Sequence, residues 1–282
     1  MTVMSTASVR LLGERDLDEA LGILREDPVA NVFVESRVMA VRGRSWRLGG
    51  ELWGYVDEGQ VQALCWSGAN LVPVGADDAA LAAFADRVRR QGRRCSSIVG
   101  PADQVLTLWR LLESAWGPAR EVRDDQPLMV CDDEPLVDAD PHVRLVTMPE
   151  LDALVPASVA MFTEEVGVSP LANDGGSLYR ARVAELVRSE RAFARIEHGQ
   201  VVFKAEVGAA TSAACQVQGV WVDPTRRGEG LSVPGMAAVV AAAQRSIAPQ
   251  VSLYVNAYNT AARKAYEHVG FRQVGTFATV LF

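Results

Sequence analysis

Short apolar strands, polar turns and amphipathic helices occur twice along this chain in the same order. Val9-Arg10-Leu11-Leu12 precedes Asp16-Leu17-Asp18-Glu19-Ala20-Leu21, and Val143-Arg144-Leu145-Val146 precedes Glu150-Leu151-Asp152-Ala153-Leu154. Each pair has the alternation of a strand followed by the spacing of a helix with one apolar face. Further on, Asp57-Glu58-Gly59-Gln60-Val61 opens an apolar run ending near Trp66, and Glu197-His198-Gly199-Gln200-Val201 opens one ending near Val207; both predict a β-hairpin. The offsets, 134 residues from Val9 to Val143 and 140 from Gly59 to Gly199, differ only by a small loop insertion. The pattern predicts a tandem duplication of one mixed α/β (α+β) unit. Residues 132–141, acidic and interrupted by Pro135 and Pro141, read as the join. The expected domains are therefore 1–134 and 142–282.

Length and composition agree with two compact domains. The chain has 282 residues, 49% of them hydrophobic and 22% charged, without low-complexity tracts. No apolar run reaches the roughly 20 residues that span a bilayer, and Val233 to Ala243 reads as a buried helix. No signal-peptide pattern opens the chain, so the expected location is cytoplasmic and no membrane is involved. Cys65, Cys95, Cys131 and Cys215 are widely separated and, with only three histidines, predict buried small hydrophobes and no metal site. A net charge of −7 argues against nucleic acid as a partner and suits cationic ligands, which an acidic surface steers inward.

The most informative stretch is Gln218-Gly219-Val220-Trp221-Val222-Asp223-Pro224-Thr225-Arg226-Arg227-Gly228-Glu229-Gly230-Leu231, followed by small apolar residues to Gln244. It predicts a strand, a loop and a helix. A helix N-terminus carries unpaired N–H groups and a partial positive charge, so it suits a phosphate. Gly228 and Gly230 let the loop take positive φ and bring main-chain amides close to a bulky anion, and Arg226 and Arg227 add charge at its entrance. A tight turn with two solvated arginines fits the same Gly-x-Gly. A dinucleotide-binding oxidoreductase fits less well, because the third glycine and the ribose-binding acidic residue are missing.

The context decides. Val251 to Asn256 reads as a strand, Asn259 or Thr260 can cap a helix, and Gly270 stands at its C-cap. Arg226-Arg227-x-Gly228-x-Gly230 opening a helix, followed by Asn256-x-x-Asn259-x-x-Ala262-Arg263-x-x-Tyr266-x-x-x-Gly270-Phe271, is similar to the GNAT superfamily of acyl-CoA-dependent N-acyltransferases. The resemblance covers roughly 143–282. It implies two tandem domains, each a mostly antiparallel twisted sheet flanked by helices. It also implies that Arg226, Arg227, Gly228, Glu229, Gly230 and Leu231 hold the coenzyme A pyrophosphate. The splayed strands, with Val220, Trp221 and Val222 on one and Asn256 on the other, would hold the pantetheine arm, while Asn259, Ala262, Arg263 and Tyr266 line the thioester end. The first-turn Pro234 is a departure, tolerated if the helix starts near Gly230 or Leu231.

That resemblance implies acyl transfer from acetyl-CoA, or another acyl-CoA, to a primary amine, with Tyr266 protonating the departing thiolate. Glu206, on the segment resembling the family's fourth strand, would be the base; strict alternation puts it on one face with Lys204 and Gly208, which an ordinary solvated strand face also explains. Glu165, beside Glu164 near a helix end, is a candidate for the acceptor's ammonium. A non-catalytic acyl-CoA sensor is the rival reading. In the first half, Leu71 to Asp78 stands where a phosphate loop would be, and the pair Asp77-Asp78 opposes an anion, so this half is expected to be a degenerate copy. Trp46, Trp53, Trp66, Trp109 and Trp116, all in this half, are expected in its core. A monomer and a homodimer are both compatible with the sequence.

Overall fold

The structure, a computed structural model, describes residues 7–41, 49–172 and 175–282. The first half runs β1 (Ser8–Leu11), α1 (Leu17–Leu24), α2 (Val32–Val41), β2 (Gly50–Asp57), β3 (Gln60–Gly68), β4 (Asn70–Val74), α3 (Asp78–Gln91), β5 (Ser97–Pro101), α4 (Ala102–Trp116) and β6 (Glu121–Cys131). The second half repeats this order: β7 (Arg144–Leu145), α5 (Leu151–Val166), α6 (Ser177–Arg188), β8 (Ala192–Glu197), β9 (Gln200–Ala210), β10 (Ala214–Val222), α7 (Ser232–Ser246), β11 (Gln250–Tyr254), α8 (Thr260–Val269) and β12 (Arg272–Leu281). The duplication extends to side chains. Arg10 donates to both oxygens of Asp16, and Asp16 accepts from the Gly13 amide. At an offset of 134 residues, Arg144 donates to both oxygens of Glu150, which accepts from the Thr147 amide. The hairpin turns also match, with Glu58 and Gly59 at φ 50 and 84° and His198 and Gly199 at φ 50 and 80°, the left-handed pair that a two-residue turn needs.

The paired strand-to-helix corners make a pH prediction. The Arg10 guanidinium pulls the Asp16 carboxyl down to about 2, and Arg144 does the same for Glu150. A depressed carboxyl stabilises the fold above its unfolded value near 4 and loses that contribution as pH falls through its folded value. Asp16→Asn is therefore expected to cost about 2 kcal/mol at pH 7. In urea titrations its deficit against the parent protein should shrink between pH 4 and pH 2, and a constant deficit would refute the assignment.

The compact units do not follow the halves of the sequence. One unit comprises residues up to Leu128 together with Tyr254–Tyr258 and Gln273–Phe282; the other comprises Met129–Leu253 and Asn259–Arg272. The expected division at 1–134 and 142–282 describes the repeat along the chain, whereas the last strand of the second repeat packs with the first. In the first unit the strand order is β1-β2-β3-β4-β5-β12-β6, and Phe277 to Leu281 of β12 run antiparallel to Pro101 to Ser97 of β5. In the second unit the order is β11-β10-β9-β8-β7. Among the strand pairs described residue by residue, β4 with β5 and β10 with β11 are parallel and the rest antiparallel.

Strand alternation sorts the first unit's core into two layers. Leu52, Leu64, Trp66 and Val72 pack with α1 and α2, while Trp53, Cys65, Leu71 and Ile98 pack with α3 and α4. Trp53, Trp66 and Trp109 are core residues, and Trp116 packs edge-on against Phe282 with ring centroids 5.3 Å apart. Trp46 lies outside the described residues. All four cysteines are buried and unpaired, as the sequence predicts, and burial pushes the Cys95 thiol up to about 11. Asp77 caps α3 by accepting from the Ala80 amide at 2.8 Å, so a carboxylate already sits where this repeat would need room for a phosphate.

In the second unit, α5 and α6 cover one face of the sheet through Leu151, Leu154, Val183 and Val187 against Ala192, Ala194, Val201 and Trp221. On α7, Gly235 allows close approach to β9, since a Cβ there would lie 2.9 Å from the Phe203 ring. The join between the repeats is fixed to this unit. Leu136 donates its amide to Val269, Asp140 donates its amide to Pro234, and the Asp140 carboxylate pairs with Arg195 at 2.9 Å. Among the described residues, no helix is long and apolar enough to cross a membrane.

Candidate functional site

The site is built on β10. Its parallel pairing with β11 covers only Ala214–Gln216 against Gln250–Ser252, so beyond Gln216 the two strands part. On the other side a register shift against β9 falls between Gln218 and Trp221, where Gly219 adopts φ +61°. This bulge interrupts the ladder at the middle of the strand.

Beyond β10, Asp223 accepts from the amide and the hydroxyl of Thr225 and so starts a 3-10 turn over Pro224–Arg226. The chain then passes through Gly228 at φ +87° and Gly230 at φ +79° into α7. Both are left-handed conformations that glycine adopts without strain, and a Cβ at either position would meet no atom within 4 Å. The glycines therefore serve the loop's conformation and leave open space in front of it. Among the described residues, none accepts a hydrogen bond from the amides of Gly228, Gly230, Leu231 or Ser232. The helix starts at Ser232, so Pro234 falls in its first turn, where its missing N–H costs nothing.

The loop arginines are not free charges. Arg226 donates to Glu197 at 2.8 Å and to Glu229 at 2.7 Å, and Arg227 donates to Glu164 at 2.7 Å and to the Val222 carbonyl at 3.2 Å. Arg195 joins Glu197 to Asp140, so a chain of alternating charges runs from the join between the repeats to the loop. Glu164 and Glu165 therefore have separate surroundings. Glu164 is tied to the loop, whereas Glu165 is exposed and its charge reaches Tyr266.

Tyr266 lies on the buried side of α8, packed on Phe271 with ring centroids 5.8 Å apart. Burial, reinforced by the negative charge of Glu165, holds its hydroxyl in the protonated form far beyond the ordinary range. Among the described residues, no acceptor for that hydroxyl is recorded. Asn259 caps α8 by accepting from the Ala262 amide at 3.2 Å, and Gly270 ends the helix at φ +116°, both as the sequence predicts. Ala262 and Arg263 lie in the helix's first turn. Asn256 falls in the other unit, where its side chain accepts from Gln126 at 2.8 Å and donates to the Tyr258 hydroxyl at 2.9 Å.

Glu206 has the surroundings that sequence alone described least well. It shares a face of β9 with Lys204 as alternation requires, but that face is buried under α5 and α6 rather than solvated. Glu206 Oε2 accepts from Lys204 Nζ at 3.0 Å, and Glu206 Oε1 accepts from Gln218 Nε2 at 3.0 Å. Lys204 also donates to the Gly219 carbonyl at 3.1 Å, tying the pair to the bulge. A Cβ at Gly219 would crowd Met161, Glu206 and Lys204 at 3.0 to 3.1 Å. Lys204 and Gln218 were not among the expected site residues; the only sequence signal for Lys204 is its place two residues before Glu206.

Comparison with known proteins agrees with this geometry. The model of the Acetyltransferase (GNAT) family matches residues 184–271, from the end of α6 to the residue after Gly270, and a domain of unknown function, DUF4081, matches 50–154. No curated protein gives a significant sequence match. Among solved structures, a Drosophila protein is similar with a TM-score of 0.65 at 11% identity, covering 98% of this chain and 99% of that one. A GCN5-related N-acetyltransferase from Sphaerobacter thermophilus gives 0.61 at 16%, covering 98% and 95%. A tandem GNAT protein from the clavulanic acid biosynthesis pathway gives 0.56 at 14%, covering 98% of both. At such identities the likeness speaks for the fold. Residues 184–271 thus match the Acetyltransferase (GNAT) family, in a chain whose fold is similar to that of a tandem GNAT protein.

Proposed function

We propose that the second unit binds an acyl-CoA, acetyl-CoA in the simplest case, and transfers its acyl group to a primary amine. The observation that carries this reading is the row of amides at Gly228, Gly230, Leu231 and Ser232 that donate to none of the described residues, at a helix N-terminus with open space beside both glycines. Arg226, Arg227 and Glu229 shape this loop through their ion pairs, and the side of Val220, Trp221 and Val222 turned away from β9 offers main-chain groups to the pantetheine arm. Asn259, Ala262 and Arg263 stand at the start of α8, toward the thioester end. Asn256 is left out, because both ends of its amide are committed within the other unit.

In the reaction the amine nitrogen bonds to the thioester carbonyl carbon and the carbon–sulfur bond breaks. The nitrogen's proton passes to Glu206, directly or through a water molecule, and Tyr266 gives its proton to the leaving sulfur. Tyr266 suits that role because burial keeps it protonated at neutral pH. A second reading, an acyl-CoA-binding module without turnover, draws support from the occupation of both Glu206 oxygens by Lys204 and Gln218.

Titrating the intact protein with acetyl-CoA in a calorimeter, alongside thiol release with a panel of amines, separates the two. The acyltransferase reading expects binding and turnover, with Glu206→Gln losing turnover but not binding. Binding with no thiol release from any amine would favour the module, and no binding at millimolar acetyl-CoA would end both.

A further inference from the structure

Lys204 is one of only two lysines in a chain with 28 lysines and arginines, and its side chain is essentially inaccessible. Its ammonium lies 3.0 Å from Glu206 Oε2 and 3.1 Å from the Gly219 carbonyl, while Gln218 takes the other carboxylate oxygen. Space beside the pair is tight, since a Cβ at Gly219 would lie 3.1 Å from both Lys204 Nζ and the Glu206 carboxylate carbon. A desolvated carboxylate in an amine-acylating site is normally the counter-ion that would welcome an ammonium group. Here that position is filled from within, and Lys204 and Glu206 are neutral as a unit. Among the described residues of this site, an arriving ammonium would find no unpaired buried partner, and it would meet the like charge of Lys204.

The remaining carboxylates at this end of α5 do not replace Glu206. Glu164 is held by Arg227. Glu165 is exposed, where an ion pair contributes at most about 1 kcal/mol. We infer that the acceptor is a weakly basic amine with an appreciable uncharged fraction near neutral pH, of the class of arylamines and peptide α-amino groups, and not a polyamine or a lysine side chain. The inference rests on the acyltransferase reading above and names the acceptor class for that same site. Such an amine arrives as the nucleophile with its lone pair free. It develops a positive charge only as the new carbon–nitrogen bond forms, when its proton is easily surrendered to Glu206.

The test uses the full chain with acetyl-CoA at pH 7, measuring thiol release with p-anisidine, a short peptide bearing a free α-amino group, Nα-acetyl-lysine and spermidine. An α-amino group titrates near 8 and a lysine side chain near 10.4, so the uncharged fractions differ by on the order of 100-fold. We expect kcat/KM for the first two amines to exceed that for the last two by a ratio of at least that order. Lys204→Met opens the carboxylate to an external cation and is expected to narrow the ratio about tenfold, converting roughly 1.4 kcal/mol of recovered ion pairing. Lys204→Met leaves a buried carboxylate without its cation; where that variant does not fold, the parent's order of preference among the four amines decides alone.

A parent enzyme that prefers Nα-acetyl-lysine or spermidine overturns the inference while leaving the acyltransferase reading intact. So does a folded K204M whose ratio is unchanged. Binding of acetyl-CoA without turnover of any of the four amines overturns it as well, and absence of acetyl-CoA binding refutes the underlying reading instead.

Discussion

Replacing both Gly228 and Gly230 with alanine is expected to weaken acetyl-CoA binding by about 30- to 1,000-fold. The glycines sit at φ +87° and +79°, and an alanine in such a conformation costs roughly 1–2 kcal/mol. Two such costs correspond to that range at 1.4 kcal/mol per tenfold. Nothing within 4 Å would collide with either new methyl group, so the effect comes from backbone preference and not from crowding. The loop escapes the strain by turning its peptide planes, which aims the amides of Gly228 and Gly230 away from the ligand. Gly59→Ala is the matching control, since it has the same kind of φ and the same empty surroundings in the hairpin turn of the first unit. Calorimetry should show near-normal acetyl-CoA affinity for the control and a large loss for the double variant. Equal affinity in both would remove the main support for the cofactor site.

Tyr266→Phe should lower kcat by about 100-fold or more while leaving the dissociation constant for acetyl-CoA within about threefold, as expected when an acid acts only in the chemical step. The substitution leaves no buried group newly unpaired, because no acceptor for the hydroxyl is recorded among the described residues. Thermal stability should therefore change little. The sign of the pH effect follows from the upward shift. A phenol whose value is raised keeps its proton as pH climbs, so the parent's kcat should show no alkaline loss from Tyr266 below the usual phenol value of about 10. A kcat retained in the phenylalanine variant would assign the proton on the leaving sulfur to solvent.

Local signals carried a large part of the fold and the site. The Glu-x-Gly-Gln hairpin turns were legible because left-handed backbone is specified by a few residues. The conformation of the glycine loop was legible for a related reason. Two glycines ahead of a run of helix-forming residues describe the backbone whatever surrounds it, and the cap at Asn259 and the stop at Gly270 follow local rules of the same kind. The start of α3 in the first repeat was also readable, since Asp77 caps it.

Relations between distant segments were not legible. Alternation placed Lys204 and Glu206 on one face of a strand, but whether that face was wet depended on α5 and α6 packing over it, and only burial turned two charges into a closed pair with Gln218 as a third member. Arg226 and Arg227 looked like free cations because their carboxylate partners, Glu197 and Glu164, lie 29 and 63 residues away. The association of Phe277–Leu281 with β5 had no sequence signature, since an apolar strand from either repeat satisfies the same edge. Sequence by itself determined the repeated elements, the left-handed turns and the amide-rich loop, because those depend on torsional preference and spacing within a few residues. Tertiary structure alone decided which charges are paired, which are dry and which strand completes which sheet, because burial and charge pairing depend on neighbours that the chain brings together only on folding.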